Sequence, residues 1–163
     1  MPPHCDTMDG PVILAAKEAL ESNNVNLILP WAPENAESEI KSAFEKTMAA
    51  RKLGASARDV ADIWFFETVV RLHRAGEGAS FTGLKPAGLD TGPVVPKIEK
   101  AIEVEDIKDV IEFLKTAIED EIAEKFKHVI HTKNYDINNT KKARKYVQKF
   151  LGLTLYSHHL HQY

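Results

Sequence analysis

The chain has 163 residues, of which 28% are charged, and a net charge of −3. Such a length suits one domain with a core of its own, and the slightly acidic balance offers no general attraction to nucleic acid or to an anionic membrane. The single cysteine, Cys5, cannot form an internal disulfide. No run of about 18 apolar residues is present to span a membrane. The opening Met-Pro-Pro-His lacks the basic and apolar regions of a signal peptide, so a cytoplasmic setting is expected.

Apolar residues recur at helical spacing almost throughout, and no stretch alternates as a half-buried strand would. A first helix is expected from Gly10-Pro11, with proline at the first helical position, turning Val12, Ala16, Ala19 and Leu20 inward until Asn23-Asn24. A second runs from about Pro33 to Lys52 with Ile40, Phe44, Thr47 and Met48 on one face, and Gly54 closes it. Ser56 is expected to cap a third helix, which reaches Arg74 before Gly76. Its middle, Ile63 to Val70, is apolar nearly all round, apart from Glu67 and Thr68. So wide an apolar surface predicts a helix buried on several sides.

Residues 76–96 carry five glycines and three prolines and are expected to form a long loop over one end of the bundle. A short helix near 94–103 follows. The longest helix, about Glu105 to His131, places Ile107, Val110, Ile111, Leu114, Ile118, Ile122 and Phe126 three or four apart. After a turn at Asn134-Tyr135-Asp136, Asn139 or Thr140 caps a last helix to about Tyr156, with Ala143, Tyr146, Val147, Phe150 and Leu151 inward. The tail from 157 to 163 is expected to be loose. Residues 99–124 hold ten acids against three bases, and residues 125–149 hold eight bases against one acid. The expectation is of two solvated helix faces that complement each other. The basic stretch lacks the aromatic interleaving of a nucleic-acid module.

Three groups of residues carry the chemistry. The first is His4-Cys5-Asp6-Thr7-Met8-Asp9. A thiolate beside an imidazole suits zinc, nickel, iron or copper. Asp9 is a further donor or, just ahead of the first helix, its cap. Cys5 is also the candidate nucleophile, or else a small buried thiol. The second group is Glu67, Arg71, His73, Arg74 and Glu77 at the end of the third helix. Glu67 has Arg71 as its natural helical partner, whereas His73 and Glu77 are four apart across Gly76. The third group, Glu124, His128 and His131, has metal-capable spacing on a polar face. No dinucleotide fingerprint, phosphate loop or nucleophile elbow is present.

The words His4-Cys5-Asp6-Thr7-Met8-Asp9-Gly10-Pro11, Trp64-Phe65-Phe66-Glu67-Thr68 and Arg71-Leu72-His73-Arg74-Ala75-Gly76-Glu77-Gly78, then Thr82-Gly83-Leu84-Lys85-Pro86, resemble a bacterial and archaeal family of unknown function. The resemblance extends to about residue 100 and implies no activity. The first word is also similar, over about seven residues, to the His-Cys-Asp-x-Pro-Cys-Gly hook of nickel superoxide dismutases. His4, Cys5, Asp6 and Gly10 are in register with it. Met8 stands in place of the hook's proline and Asp9 in place of its second thiolate. The hook's histidine is a free N-terminus, whereas three residues precede His4.

Together these features predict an all-α single domain, a four-helix-type bundle with one or two short extra helices. At one end a metal-binding or redox pocket is expected. Its ligands are drawn from His4, Cys5 and His73, with Asp9, Glu67 and Glu77 as weaker donors. The alternatives are an interaction module, with the Gly-rich loop and Arg71/Arg74 receiving a small molecule or partner, and a metal-independent enzyme with Cys5 as nucleophile. The oligomeric state is left open, a homo-oligomer included.

Overall fold

The computed structural model describes residues 4–162. Six α-helices carry the chain: α1 (Pro11–Ser22), α2 (Glu37–Ala50), α3 (Ala55–Gly76), α4 (Val94–Val104), α5 (Lys108–Lys133) and α6 (Thr140–His161). Short 3-10 turns at Val25–Leu27, Leu29–Trp31, Glu34–Ala36 and Arg51–Leu53 join the first three. No strand occurs among the described residues, and the all-α bundle expected from the period is the fold. No described helix is long and apolar enough to cross a membrane.

Contacts divide the chain into two units, Met1–Val95 and Pro96–Tyr163. In the first, α1 and α2 both pack on α3. Its core joins Val12, Ile13 and Leu20 of α1 to Ile40 and Phe44 of α2 and to Phe65, Val69 and Val70 of α3. The Phe44 and Phe65 rings meet edge to face, 5.8 Å between centroids. The inward positions expected for α1 and α2 are all buried or half-buried. The wide apolar surface of α3 is buried only in part, because Val60, Ile63 and Trp64 remain exposed.

Helix ends differ from expectation in informative ways. α1 starts at Pro11 with Gly10 as its cap, and no side chain caps it. The expected Asp9 cap does not form, because that carboxylate accepts the Gly88 N–H instead, at 2.7 Å. α3 begins at Ala55 behind Gly54, whose φ of 127° is open to glycine alone, so Ser56 lies inside the helix. Asn139 caps α6 as expected, accepting the Lys142 N–H. The tail expected to be loose continues α6 as helix to His161.

The second unit is built on α5 packed along α6. Here the inward positions read from the sequence are largely wrong. Ile107, Ile111, Leu114, Ile118, Phe126, Val147, Phe150 and Leu151 are exposed, whereas Val110 and Val129 are the buried apolar residues of α5. One partner helix covers only one stripe of another, and the period cannot say which stripe it covers.

Candidate functional site

The N-terminal segment is a knot of backbone bonds rather than a frayed end. The His4 carbonyl accepts from the Thr7 N–H and hydroxyl, at 3.1 and 2.9 Å, and Gly10 N–H donates to the Thr7 carbonyl at 2.9 Å. The turn is tight enough that a β-carbon on Gly10 would sit 1.8 Å from the His4 oxygen, so only glycine fits. The segment then pairs with the Gly-rich loop. Lys85 N–H donates to the Asp6 carbonyl at 2.8 Å and Met8 N–H to the Lys85 carbonyl at 3.0 Å, an isolated parallel bridge. With the Asp9–Gly88 bond, these contacts hold the loop against residues 6–9.

Asp6 fastens the segment to α3. Its Oδ2 lies 2.8 Å from Arg74 Nη2 and 3.8 Å from Lys85 Nζ, and the Asp6 and Arg74 side chains are only 5% and 10% exposed. The other carboxylate oxygen, Oδ1, is buried and accepts no hydrogen bond. Cys5, next in the chain, is 1% exposed. Burial pushes its thiol above the ordinary range, the Glu77 carboxylate pushes further, the Arg74 guanidinium opposes, and Asp6 adds a smaller rise. A thiol so placed stays protonated at neutral pH and is a poor nucleophile there.

One turn of α3 holds the other donors. The His73 ring donates from Nδ1 to the Trp31 carbonyl at 2.7 Å. That carbonyl is brought in by the 3-10 segments, whose Pro33 approaches so closely that a β-carbon on Gly76 would be 2.7 Å from Pro33 Cδ. With Nδ1 committed, Nε2 carries the lone pair of the neutral ring. Nε2 is buried, takes part in no hydrogen bond, and lies 3.4 Å from Glu77 Oε2. α3 continues helical through Gly76, two residues further than Arg74, and this extension brings His73 and Glu77 together.

Other candidates are placed elsewhere. Glu67 is exposed and does not pair with Arg71, which reaches across to Glu39 on α2. Arg71 and Arg74 are therefore both engaged by carboxylates, which leaves neither as an open anion receptor. Asp9 is exposed, and its carboxyl is held below the usual range by the Gly88 N–H and the Thr7 hydroxyl. His4 is half-buried, with Nδ1 inside. Glu124 contacts His128 at 3.1 Å on an exposed face, without His131 joining them as a third donor. Among the described residues, no three His, Cys, Asp or Glu side chains are gathered closely enough to hold a metal ion as they stand. Trp31 and Lys85 act through their backbones, which no side-chain pattern announces. Asp6 stands inside the first word, but no spacing relates it to Arg74, its partner in the fold.

The fold and this corner define an all-helical protein whose N-terminal segment and glycine-rich loop are tied to the end of one buried helix. The chain belongs to the family of unknown function DUF6448, which matches residues 9–156. The match runs well past residue 100 and starts at Asp9, so His4 to Met8 lie ahead of it. No curated protein and no solved structure matches the chain.

Proposed function

We propose that the corner between Cys5 and the end of α3 takes up a transition-metal ion, with His73 Nε2 and Glu77 as its prearranged pair and the Cys5 thiolate as third donor. The observation that carries this is the disposition of His73. A ligating imidazole commonly donates its other N–H to a backbone carbonyl, which fixes ring and tautomer, and Trp31 provides that carbonyl. Two donors about 2.05 Å from a tetrahedral ion stand about 3.3 Å apart, and Nε2 and Oε2 are 3.4 Å apart. Two acceptors facing each other, a buried imidazole nitrogen and a solvent-open carboxylate, favour a cation between them. Cys5 lies close enough for Glu77 to be the strongest charge acting on its thiol. The three donors are not gathered as they stand, so side chains must move to bring sulfur into the set, with loss of the thiol proton on binding.

The donor set of thiolate, imidazole and carboxylate suits zinc, nickel, iron or copper. His4 and Asp9 are outside it, since Asp9 is committed to Gly88. Cobalt titration of untagged protein tests the assignment. One ion per chain is expected, with a near-ultraviolet thiolate-to-metal band that Cys5→Ala abolishes. Cys5→Ala and His73→Ala, which remove ligands themselves, should each weaken affinity by at least the roughly 10- to 100-fold typical of losing an outer-shell partner. Sub-stoichiometric metal in the wild type, or equal uptake in both variants, overturns it.

A further inference from the structure

We infer that the start of α6 in one copy of this chain docks on the start of α5 in a second copy, with the two α5–α6 hairpins antiparallel and the contact made twice over, to form a two-fold dimer. The register of the α5–α6 pair is the first support. The Tyr135 and Tyr146 rings meet tilted, with centroids 5.5 Å apart, and Lys125 Nζ lies 5.1 Å from the Tyr156 ring centroid. In that antiparallel register the C-terminal end of α6 comes level with the middle of α5. The first half of α5 therefore has no cover from α6, and Ile111, Leu114 and Ile118 stay 54%, 39% and 37% exposed. At the other end Val147 and Leu151 of α6 are 47% and 48% exposed and line an apolar groove with Ala143. The two stripes lie on the order of 35 Å apart along the pair at 1.5 Å per residue, so they cannot meet within one hairpin.

Charge supplies the partner. The acidic stretch 99–124, net −7, lies at the uncovered end of α5, and the basic stretch 125–149, net +7, at the turn end. Each end of the hairpin thus gathers like charge from its own chain, rather than two faces that neutralise one another. The ion pairs found in this unit all lie within α5 or its first turn, and none joins α5 to α6 among the described residues. An antiparallel copy that seats Val147 and Leu151 on Leu114 and Ile118 sets Lys141, Arg144 and Lys145 near Asp109 and Glu112, and by symmetry does so twice. A parallel copy would stack like charges. In the two-fold pair both stripes of each copy are covered, on the order of 500 Å2 of apolar side chain per copy, and their charged flanks extend this toward the roughly 800 Å2 per partner of a stable interface.

Sedimentation equilibrium of the full chain across concentration is the test. A species of twice 18.3 kDa is expected. Val147→Glu with Leu151→Glu should give monomer at unchanged helical circular dichroism, since both sites are exposed. Lys141→Glu with Lys145→Glu should weaken the dimer by about tenfold or more, and adding Asp109→Lys with Glu112→Lys to that chain should restore it. A monomer at all concentrations overturns the inference, whatever other surface then covers the stripe. So does a dimer indifferent to Val147 and Leu151, or one that the second pair of reversals weakens further.

Discussion

Removing the Asp6 carboxylate tests how the N-terminal segment is held. Asp6 Oδ2 and Arg74 Nη2 are 2.8 Å apart, with side chains 5% and 10% exposed, so Asp6→Ala leaves a guanidinium charge largely out of water. Breaking a buried pair from one side costs about 3–5 kcal/mol. Arg74 keeps another interaction, and Lys85, at 3.8 Å and 39% exposed, adds little. The lower end, about 3 kcal/mol, is therefore expected. For a unit of this size that lowers Tm by on the order of 15 °C. Both tryptophans, Trp31 and Trp64, lie in the first unit, so their fluorescence reports its unfolding without signal from the second.

The double variant separates pairing from packing. Arg74→Met keeps volume and removes charge, so Asp6→Ala/Arg74→Met should be more stable than the two single losses predict, by about 2 kcal/mol. If the segment opens locally instead, the same free energy appears as faster alkylation of Cys5, by roughly a hundredfold. Additive single effects, or an Asp6→Ala cost below about 1 kcal/mol with Cys5 still protected, would refute the account of the clamp.

Three further outcomes are expected. Gly10→Ala drives a β-carbon to within 1.8 Å of the His4 oxygen, so it should cost about 2 kcal/mol or more by chemical denaturation and expose Cys5 to alkylation; an unchanged midpoint would mean the turn opens freely. The raised Cys5 thiol binds its proton more tightly folded than unfolded. Its contribution is complete below the ordinary thiol range and is lost as pH rises through the raised folded value. The denaturation midpoint should therefore fall more between about pH 7.5 and about pH 9.5 in wild type than in Cys5→Ala, and equal falls would contradict the burial argument. Asp9 runs the other way, its depressed carboxyl lending stability above the usual carboxylate range that fades as pH drops through the folded value. Carbon-13 titration of that carboxyl should give a value below ordinary aspartate, and Asp9→Ala should speed proteolysis near Gly88; an ordinary titration would show the Gly88 bond absent in solution.

The sequence was most legible where one pattern had one physical solution. Pro11 and Gly54 marked ends that nothing else could occupy so cheaply, and the three-to-four spacing of Val12, Ala16 and Leu20 met a core on a single side. α5 and α6 carry spacing just as regular, yet a long amphipathic helix says only that something must cover it. Which stretch the partner reaches depends on a register set by Tyr135–Tyr146 and Lys125–Tyr156, contacts between residues that no period relates.

The candidate site divides along the same line. Side chains that declare their chemistry, Cys5 and His73, stood out at once, whereas the groups that decide their state did not. Trp31 fixes the His73 tautomer through a carbonyl, and Lys85 holds the N-terminal segment through its peptide group. Asp6 and Arg74 neutralise each other out of water, so neither is spent on a ligand. Glu67 drew attention because an acid in an apolar run is costly when buried, but α3 turns that position outward and the cost never arises. The carboxylate that faces His73 is instead Glu77, one residue past the last helical position, where four-residue spacing from His73 survives only because α3 runs on through Gly76. Glycine there serves the close packing of Pro33 rather than the end of the helix. A residue chosen for backbone clearance thus places an imidazole and a carboxylate at ligand distance.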